Sequence, residues 1–224
     1  FTGSGGHTIT ANGDVTNTRA QSKVGDSSIV FDGTGDYLTL PDSSDWDIGT
    51  GDFTMECWCN SSNLETTTHV YLWDIRESGG NRLACTSNAA GTNGIWLGTG
   101  WGNLTSWAFP ASTWFHVALV RQSGTGRVYL NGVQQSTLVS WTTDFDGTWT
   151  FHIGVKYDAD ANSDLIGYLD EIRFSNICRY DDGTTFTPST TAFTADANTK
   201  LLIHSNWTGG LGADSSGNYN NFTP

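Results

Sequence analysis

Basic residues are scarce in this sequence: 10 Lys and Arg stand against 23 Asp and Glu, a formal net charge of -13. That balance repels phosphate backbones and anionic lipid, so nucleic-acid binding is not expected. Long hydrophobic runs are also missing. No stretch approaches the roughly 18 to 20 uninterrupted apolar residues of a membrane helix, and the longest candidates, such as 115–120, are strand-sized. No membrane insertion is expected. Only 4 prolines occur beside 27 glycines, with 15% charged and 12% aromatic residues, which excludes a coiled coil, collagen or a disordered tail. The 224 residues fit one large β-sandwich as well as two small domains, and the single sandwich is the reading adopted.

Cysteines are few and irregular. Cys57, Cys59, Cys85 and Cys178 lack paired CxxC spacing, which argues against zinc and makes a poor disulfide framework. Buried free thiols are the expectation. Cys57 and Cys59 share one face of a strand, where a bond between them would distort the backbone, and a Cys85–Cys178 link stays open. The chain starts FTGSGGHTIT, without an initiator Met or the regions of a signal peptide, and reads as a piece of a longer polypeptide.

What is present is a series of short alternating or apolar runs separated by Gly, Asn, Asp and Ser, the pattern of an antiparallel sandwich or barrel. In 53–60, Phe53, Met55, Cys57 and Cys59 form a core face opposite Thr54, Glu56, Trp58 and Asn60. The run 114–122 is apolar on both faces, as in a central strand. Asn131-Gly132 tolerates positive φ at both positions of a type I′ turn and marks a hairpin. Further strands are expected at 27–31, 36–40, 69–76, 81–86, 94–98, 150–156 and 165–174. The stretch 180–198 reads as an extended exit segment, followed by LLIHSN at 201–206. The expected division is a sandwich over 1–198 and a C-terminal segment over 199–224.

Loops 98–107, 141–149 and 157–164 mix aromatics with flexible or acidic residues, a composition suited to binding. Sugars stack their C–H faces on aromatic rings while polar side chains orient the hydroxyls. Trp101 and Trp107 are the leading candidates, Trp141 and Tyr157 the second, with Asp158 among the neighbouring polar groups. The cluster Asp158, Asp160 and Asp164 lacks the Gly and Glu of an EF-hand and reads as a solvated loop.

The segments SSIVFDGTGDYLTLP (27–41), GDFTMECW (51–58), WFHVALVRQSGTGRVYLNG (114–132) and GYLDEIRFSNICRY (167–180) together resemble the laminin-G-like branch of the concanavalin A-like lectin/glucanase superfamily. The resemblance implies an all-β, two-sheet antiparallel jelly-roll sandwich. Within the branch the sequence is similar to copies in bacteriophage virion proteins, tail-fibre or other structural polypeptides. TKLLIHSN and DSSGN resemble segments that open or join such modules.

That resemblance implies a non-catalytic module located in the virion, or extracellular or at the cell surface, with a host-surface glycan or another virion subunit as partner. Two alternatives stay open: a carbohydrate-binding module of a secreted bacterial enzyme, and a purely architectural fibre domain. Homo-oligomerisation is left open, since nothing in the sequence is a heptad. The family also implies a Ca2+ site, whose matching positions are Gly33 and Asp170 with Asp32 and Asp36 nearby. The family's opening carboxylate is missing, and Asp214 replaces it only if the tail folds back. The glucanase pattern resembles Glu-x-Asp-x-x-Glu, and Glu56, Glu65, Glu77 and Glu171 do not form it, so catalysis is not expected.

Overall fold

The computed structural model describes residues 8–64, 69–77, 80–87, 94–97, 100–102, 108–138, 140–181, 185–206 and 221–223. Its strands are β1 (Thr8–Asn12), β2 (Thr16–Thr18), β3 (Ser28–Asp32), β4 (Tyr37–Leu40), β5 (Phe53–Ser61), β6 (Tyr71–Glu77), β7 (Arg82–Thr86) and β8 (Gly94–Leu97). They continue with β9 (Gly100–Gly102), β10 (Phe115–Gln122), β11 (Thr125–Leu130), β12 (Val133–Leu138), β13 (Trp149–Ile153), β14 (Ile166–Ser175), β15 (Thr199–Ile203) and β16 (Asn221–Thr223). No helix occurs among the described residues. One sheet runs β16-β1-β4-β13-β6-β7-β8-β9; the other runs β12-β11-β10-β5-β14-β3-β2, with β15 beside β14. Pairing is antiparallel except between β1 and β16.

Alternation along the strands fills the space between the sheets. Phe53, Met55, Cys57 and Cys59 of β5 face inward with Phe115, Val117 and Leu119 of β10, and Trp73, Ile75, Phe151 and Ile153 meet them from the other sheet. Trp46 bridges the layers, edge-on to Phe151 at 5.1 Å and to Phe174 at 5.6 Å. The three inward cysteines are free, and burial pushes their thiols up, away from the reactive thiolate. Asn131 and Gly132 both take positive φ, as the I′ hairpin requires.

In β14 strict alternation would send Ile172 to the same side as Asp170. A bulge between Asp170 and Arg173, with Glu171 at φ 49°, breaks the parity. Leu169, Ile172 and Phe174 all reach the core, and Asp170 and Arg173 point outward. That outward face is covered as well. Thr54, Glu56 and Trp58 are buried, because residues 176–181 and 185–198 lie across β5, β10 and β11. Glu56 pins this strap. Its Oε2 accepts from Tyr180 Oη at 2.6 Å and faces His116 Nε2 at 2.9 Å, while its Oε1 accepts from Arg173 Nε at 2.8 Å. Burial alone would push the carboxyl up; the His116 hydrogen bond, the Arg173 charge and the Tyr180 hydroxyl overturn that and hold it at about 2.

The 141–149 loop is also a core element. Trp141, Phe145 and Trp149 are buried, the first two around Arg121, whose guanidinium donates to the carbonyls of Gly49, Gly51 and Thr143.

Two stability predictions follow from these contacts. Leu201 of β15 is fully buried, so Leu201→Ala should cost about 2–5 kcal/mol in denaturant unfolding. Lys200→Ala, which loses a partly exposed pair with Asp45, should cost under about 1 kcal/mol. Glu56→Gln breaks a buried ion pair and should cost about 3–5 kcal/mol. Because Glu56 titrates near 2 in the fold against 4.5 ordinarily, its contribution is present above pH 4.5 and drains away as pH falls towards 2. Melting temperatures between pH 6 and pH 2.5 should show that component in the wild type and lack it in Glu56→Gln.

Candidate functional site

The strap covers only part of the outer face of its sheet. Beyond it, towards the ends of β3, β5 and β14, an open groove of about 550 Å³ remains, a volume in the range of small-ligand sites. Cross-strand register builds its floor: Tyr168 of β14 pairs with Val30 of β3 on one side and Asn60 of β5 on the other. All three are half-buried, so their side chains are supported yet open to solvent. Ile166, exposed at 41%, and Asp32 stand opposite each other at one end, and Gln21 lines the groove as well. The Trp114 ring lies 6.4 Å from that of Tyr168 and extends the aromatic surface.

Gly167 makes this floor possible. A Cβ there would lie 2.3 Å from the Asn60 carbonyl oxygen and 2.7 Å from Ser61 Cα, so β14 approaches β5 more closely than a side chain permits. The wall carrying Gln21 has a different anchor. Asp170 Oδ2 accepts the amides of Lys23 and Val24, each at 2.9 Å, and Oδ1 accepts that of Glu171. Burial pushes the Asp170 carboxyl up to about 7 despite these bonds. The family-implied grouping of Asp170 with Asp32 and Asp36 is therefore corrected. Asp170 lies opposite Trp58, further along β14 than Ile166, the partner of Asp32, and its carboxylate braces the 19–27 loop. Arg173, its neighbour on the outer face of β14, binds Glu56.

Asp32 and Asp36 do come together, with a residue the sequence reading missed. Carboxylate oxygens of Asp14, Asp32 and Asp36 lie within 4.8 Å of one another. Asp36 Oδ1 accepts the Asp14 amide at 2.8 Å and Oδ2 the Asp32 amide at 3.0 Å, while Asp32 Oδ1 accepts from Thr34. Burial pushes the Asp36 carboxyl up, and the Asp32 charge adds to it. Gly13, at φ 73°, is required here because a Cβ would sit 2.5 Å from Asp36 Oδ1. The Asn-Gly-Asp turn at 12–14 was visible in the sequence; its position against Asp36 follows from the β1–β4 register, where Asn12 pairs with Tyr37. Three hard oxygen donors gathered in this way suit a divalent ion such as Ca2+. Gly33, at φ 84°, belongs to the same turn. Asp32 is shared by the acidic cluster and the groove.

The remaining expected binding residues scatter. Trp101 occupies the middle of β9, in register with Trp96 of β8, and Trp107 falls outside the described residues. Trp141 is 3% exposed and packs edge-on against Phe53 and Phe145. Its expected role as a stacking platform is corrected, because neither face of a core ring is open to a ligand. Tyr157 is half-buried on the outer face of the opposite sheet, beneath the Arg76 guanidinium. Asp158 is exposed and pairs with Lys156 at 2.8 Å. Asp160 closes a local turn with Asn162, and Asp164 Oδ2 accepts the Gly35 amide, so the 158–164 acids do not converge. Nothing in periodicity marked Tyr168, Asn60 or Gln21: strand residues read as structural until the strap's coverage is known.

Sequence and structure comparisons agree with this architecture. The chain matches the model of the concanavalin A-like lectin/glucanases superfamily, laminin-G type, over residues 32–182. Domain 4 of AbnA, an extracellular GH43 arabinanase from Geobacillus stearothermophilus solved with arabinotriose, superposes with a TM-score of 0.58 at 21% identity, over 77% of this chain and 82% of that one. A putative carbohydrate binding protein from Bacteroides ovatus gives 0.63 at 15% identity, over 96% of this chain and 57% of that one. A heptameric SAP-like pentraxin from Limulus polyphemus gives 0.51 at 15%, over 75% and 88%. At these identities the likeness is one of fold. No curated protein matches the chain in sequence.

Proposed function

The chain belongs to the concanavalin A-like lectin/glucanase superfamily, and from that premise we propose that it is a non-catalytic module holding a glycan in the groove across β3, β5 and β14. The observation that carries this reading is the half-buried Tyr168 ring, flanked by Asn60, Gln21 and Asp32 and continued by Trp114. An aromatic platform receives the C–H face of a sugar, and amide and carboxylate groups at its margin bind the hydroxyls. Among the described lining residues Asp32 is the one carboxylate, whereas glycoside hydrolysis ordinarily uses a pair. The arabinotriose bound to the similar arabinanase domain supports a saccharide as the ligand class.

The setting we favour is a structural polypeptide of a virion, from the within-branch resemblance to modules of bacteriophage virion proteins and the TKLLIHSN and DSSGN segments. A module of an extracellular enzyme is the second reading, favoured by the likeness to that arabinanase domain. Sequencing the full parent gene and its neighbours separates them: capsid or tail genes support the first, a fused hydrolase domain the second. On a glycan array, Tyr168→Ala should lower affinity for any bound saccharide by about 1–3 kcal/mol, roughly 5- to 150-fold, with an unchanged melting temperature. Undiminished binding would remove the groove from the function.

We further propose that Asp14, Asp32 and Asp36 hold Ca2+, which would offset most of the charge of three crowded carboxylates and stiffen the turn that carries Asp32 into the groove. Millimolar Ca2+ should raise the melting temperature of metal-stripped protein, and Asp14→Asn should abolish the rise, Asp14 being an exposed member whose side chain takes no part in the Asp36 bonds to the Asp14 and Asp32 amides. An identical melting curve in Ca2+ and EDTA would refute this assignment.

A further inference from the structure

The outer face of the other sheet carries a separate depression of about 260 Å³, lined by Arg76, Glu77, Thr148, Thr150 and Tyr157. Cross-strand register sets Arg76 of β6 opposite Thr150 of β13 on one side and Arg82 of β7 on the other. The 154–164 loop then folds back over these strands, and the Tyr157 amide donates to Asp74 Oδ2 at 2.8 Å. This lays the Tyr157 ring among three cations: Arg76 at 3.8 Å from its centroid, Arg82 at 5.3 Å and Lys156 at 5.5 Å. In a chain with 10 basic residues and a net charge of -13, such a gathering is not what random placement gives.

The three cations differ in what they bind. Arg82 forms a buried ion pair with Asp74, donating Nε to Oδ1 at 2.6 Å. Lys156 lies 2.8 Å from Asp158 and 4.0 Å from Asp160. Arg76 makes no ion pair with a carboxylate among the described residues, although it is half-buried and held against a ring. Glu77, the acid of the lining, accepts from Asn81 Nδ2 at 2.6 Å. A guanidinium stacked on an aromatic ring is fixed in place at small entropic cost, and its N–H edge stays available for a planar anion. Exposed Thr148 and Thr150 add hydroxyls beside it.

We propose that Arg76, supported by Tyr157, binds the carboxylate of an acidic sugar residue, a uronic acid, at a second site independent of the groove. The guanidinium takes the carboxylate through paired N–H donors, and the threonine hydroxyls meet the ring hydroxyls of the same residue. The protein's overall negative charge opposes long-range attraction, so recognition depends on these short contacts. At physiological salt, charges beyond about 8 Å are largely screened, which leaves the local cation to decide.

The test uses the full chain and trigalacturonic acid, with its methyl ester as a neutral probe of the same shape. Calorimetry should show binding of the acid and at least 10-fold weaker binding of the ester. Arg76→Ala should abolish acid binding, and Arg76→Lys, which keeps the charge but loses the paired donors, should weaken it about 10-fold. Both variants should retain the wild-type melting temperature. NMR shift changes on adding the acid should fall within 71–77 and 148–157. Shifts confined to 28–32, 60 and 166–168 would place the acid in the groove and overturn the second site. So would equal affinity for acid and ester, an unaffected Arg76→Ala, or no binding at millimolar concentration.

Discussion

The arrangement depends on a carboxylate removed from water. Glu56 sits on the outer face of a central strand, where a charge is tolerated only if it is fully paired, and its partners come from different parts of the chain: His116 from β10, Arg173 from β14 and Tyr180 from the strap. Satisfying that one group draws the strap across the sheet. Tyr180 then stacks on Phe186 at 3.7 Å, and both rings pack near His116 and Tyr129. Glu171 repeats the device at the other end of the segment, accepting the Phe193 amide at 2.6 Å and lying 2.7 Å from His204 Nδ1. Hydrophobic burial supplies the bulk of the stability, but the paired acids decide where the cover lies.

What the cover leaves open follows from the same geometry. β5 is buried along its length except at Asn60, the point beyond the strap's reach. There β14 presses against it through Gly167, and Asp170 holds the 19–27 loop so that Gln21 meets the groove. The proposed recognition surface is thus a strip of sheet bounded by loops that acids anchor, with its aromatic residue on a strand. A strand holds a side chain more rigidly than a free loop, and that lowers the entropy lost on binding a sugar.

Much of the sandwich was legible because alternation is a local signal: the inward faces of β5 and β10 and the Asn131-Gly132 turn follow from spacing alone, and the expected burial of the thiols holds for Cys57, Cys59 and Cys85 but not for the half-buried Cys178. The groove was not, since Thr54 and Asn60 occupy the same face of one strand and differ only in whether a segment more than a hundred residues later covers them. Trp141 misled for a related reason. Its loop is polar in composition, yet Arg121 satisfies the loop carbonyls from inside and draws the aromatics into the core. Asp14 escaped because its neighbours come from strand pairing instead of sequence proximity.

The scarcity of basic residues gives these separate facts a common cause. With no helix among the described residues to shield the sheets, loops must do so, and loops expose carbonyls and carry acids that need partners. Arg82 meets Asp74 under the 154–164 loop, Arg121 caps the carbonyls of the 47–52 and 141–149 loops, Arg173 meets Glu56, and Arg179 ties Asp196 to the end of the strap. Arg121 holds loops onto a strand, while the other pairs join strand to strand or the two ends of the strap. A guanidinium bonded in that way is consumed by the fold. Arg76 shares the stacking and the partial burial, but among the described residues it has no such bond, and that difference is the basis for the binding role proposed for it.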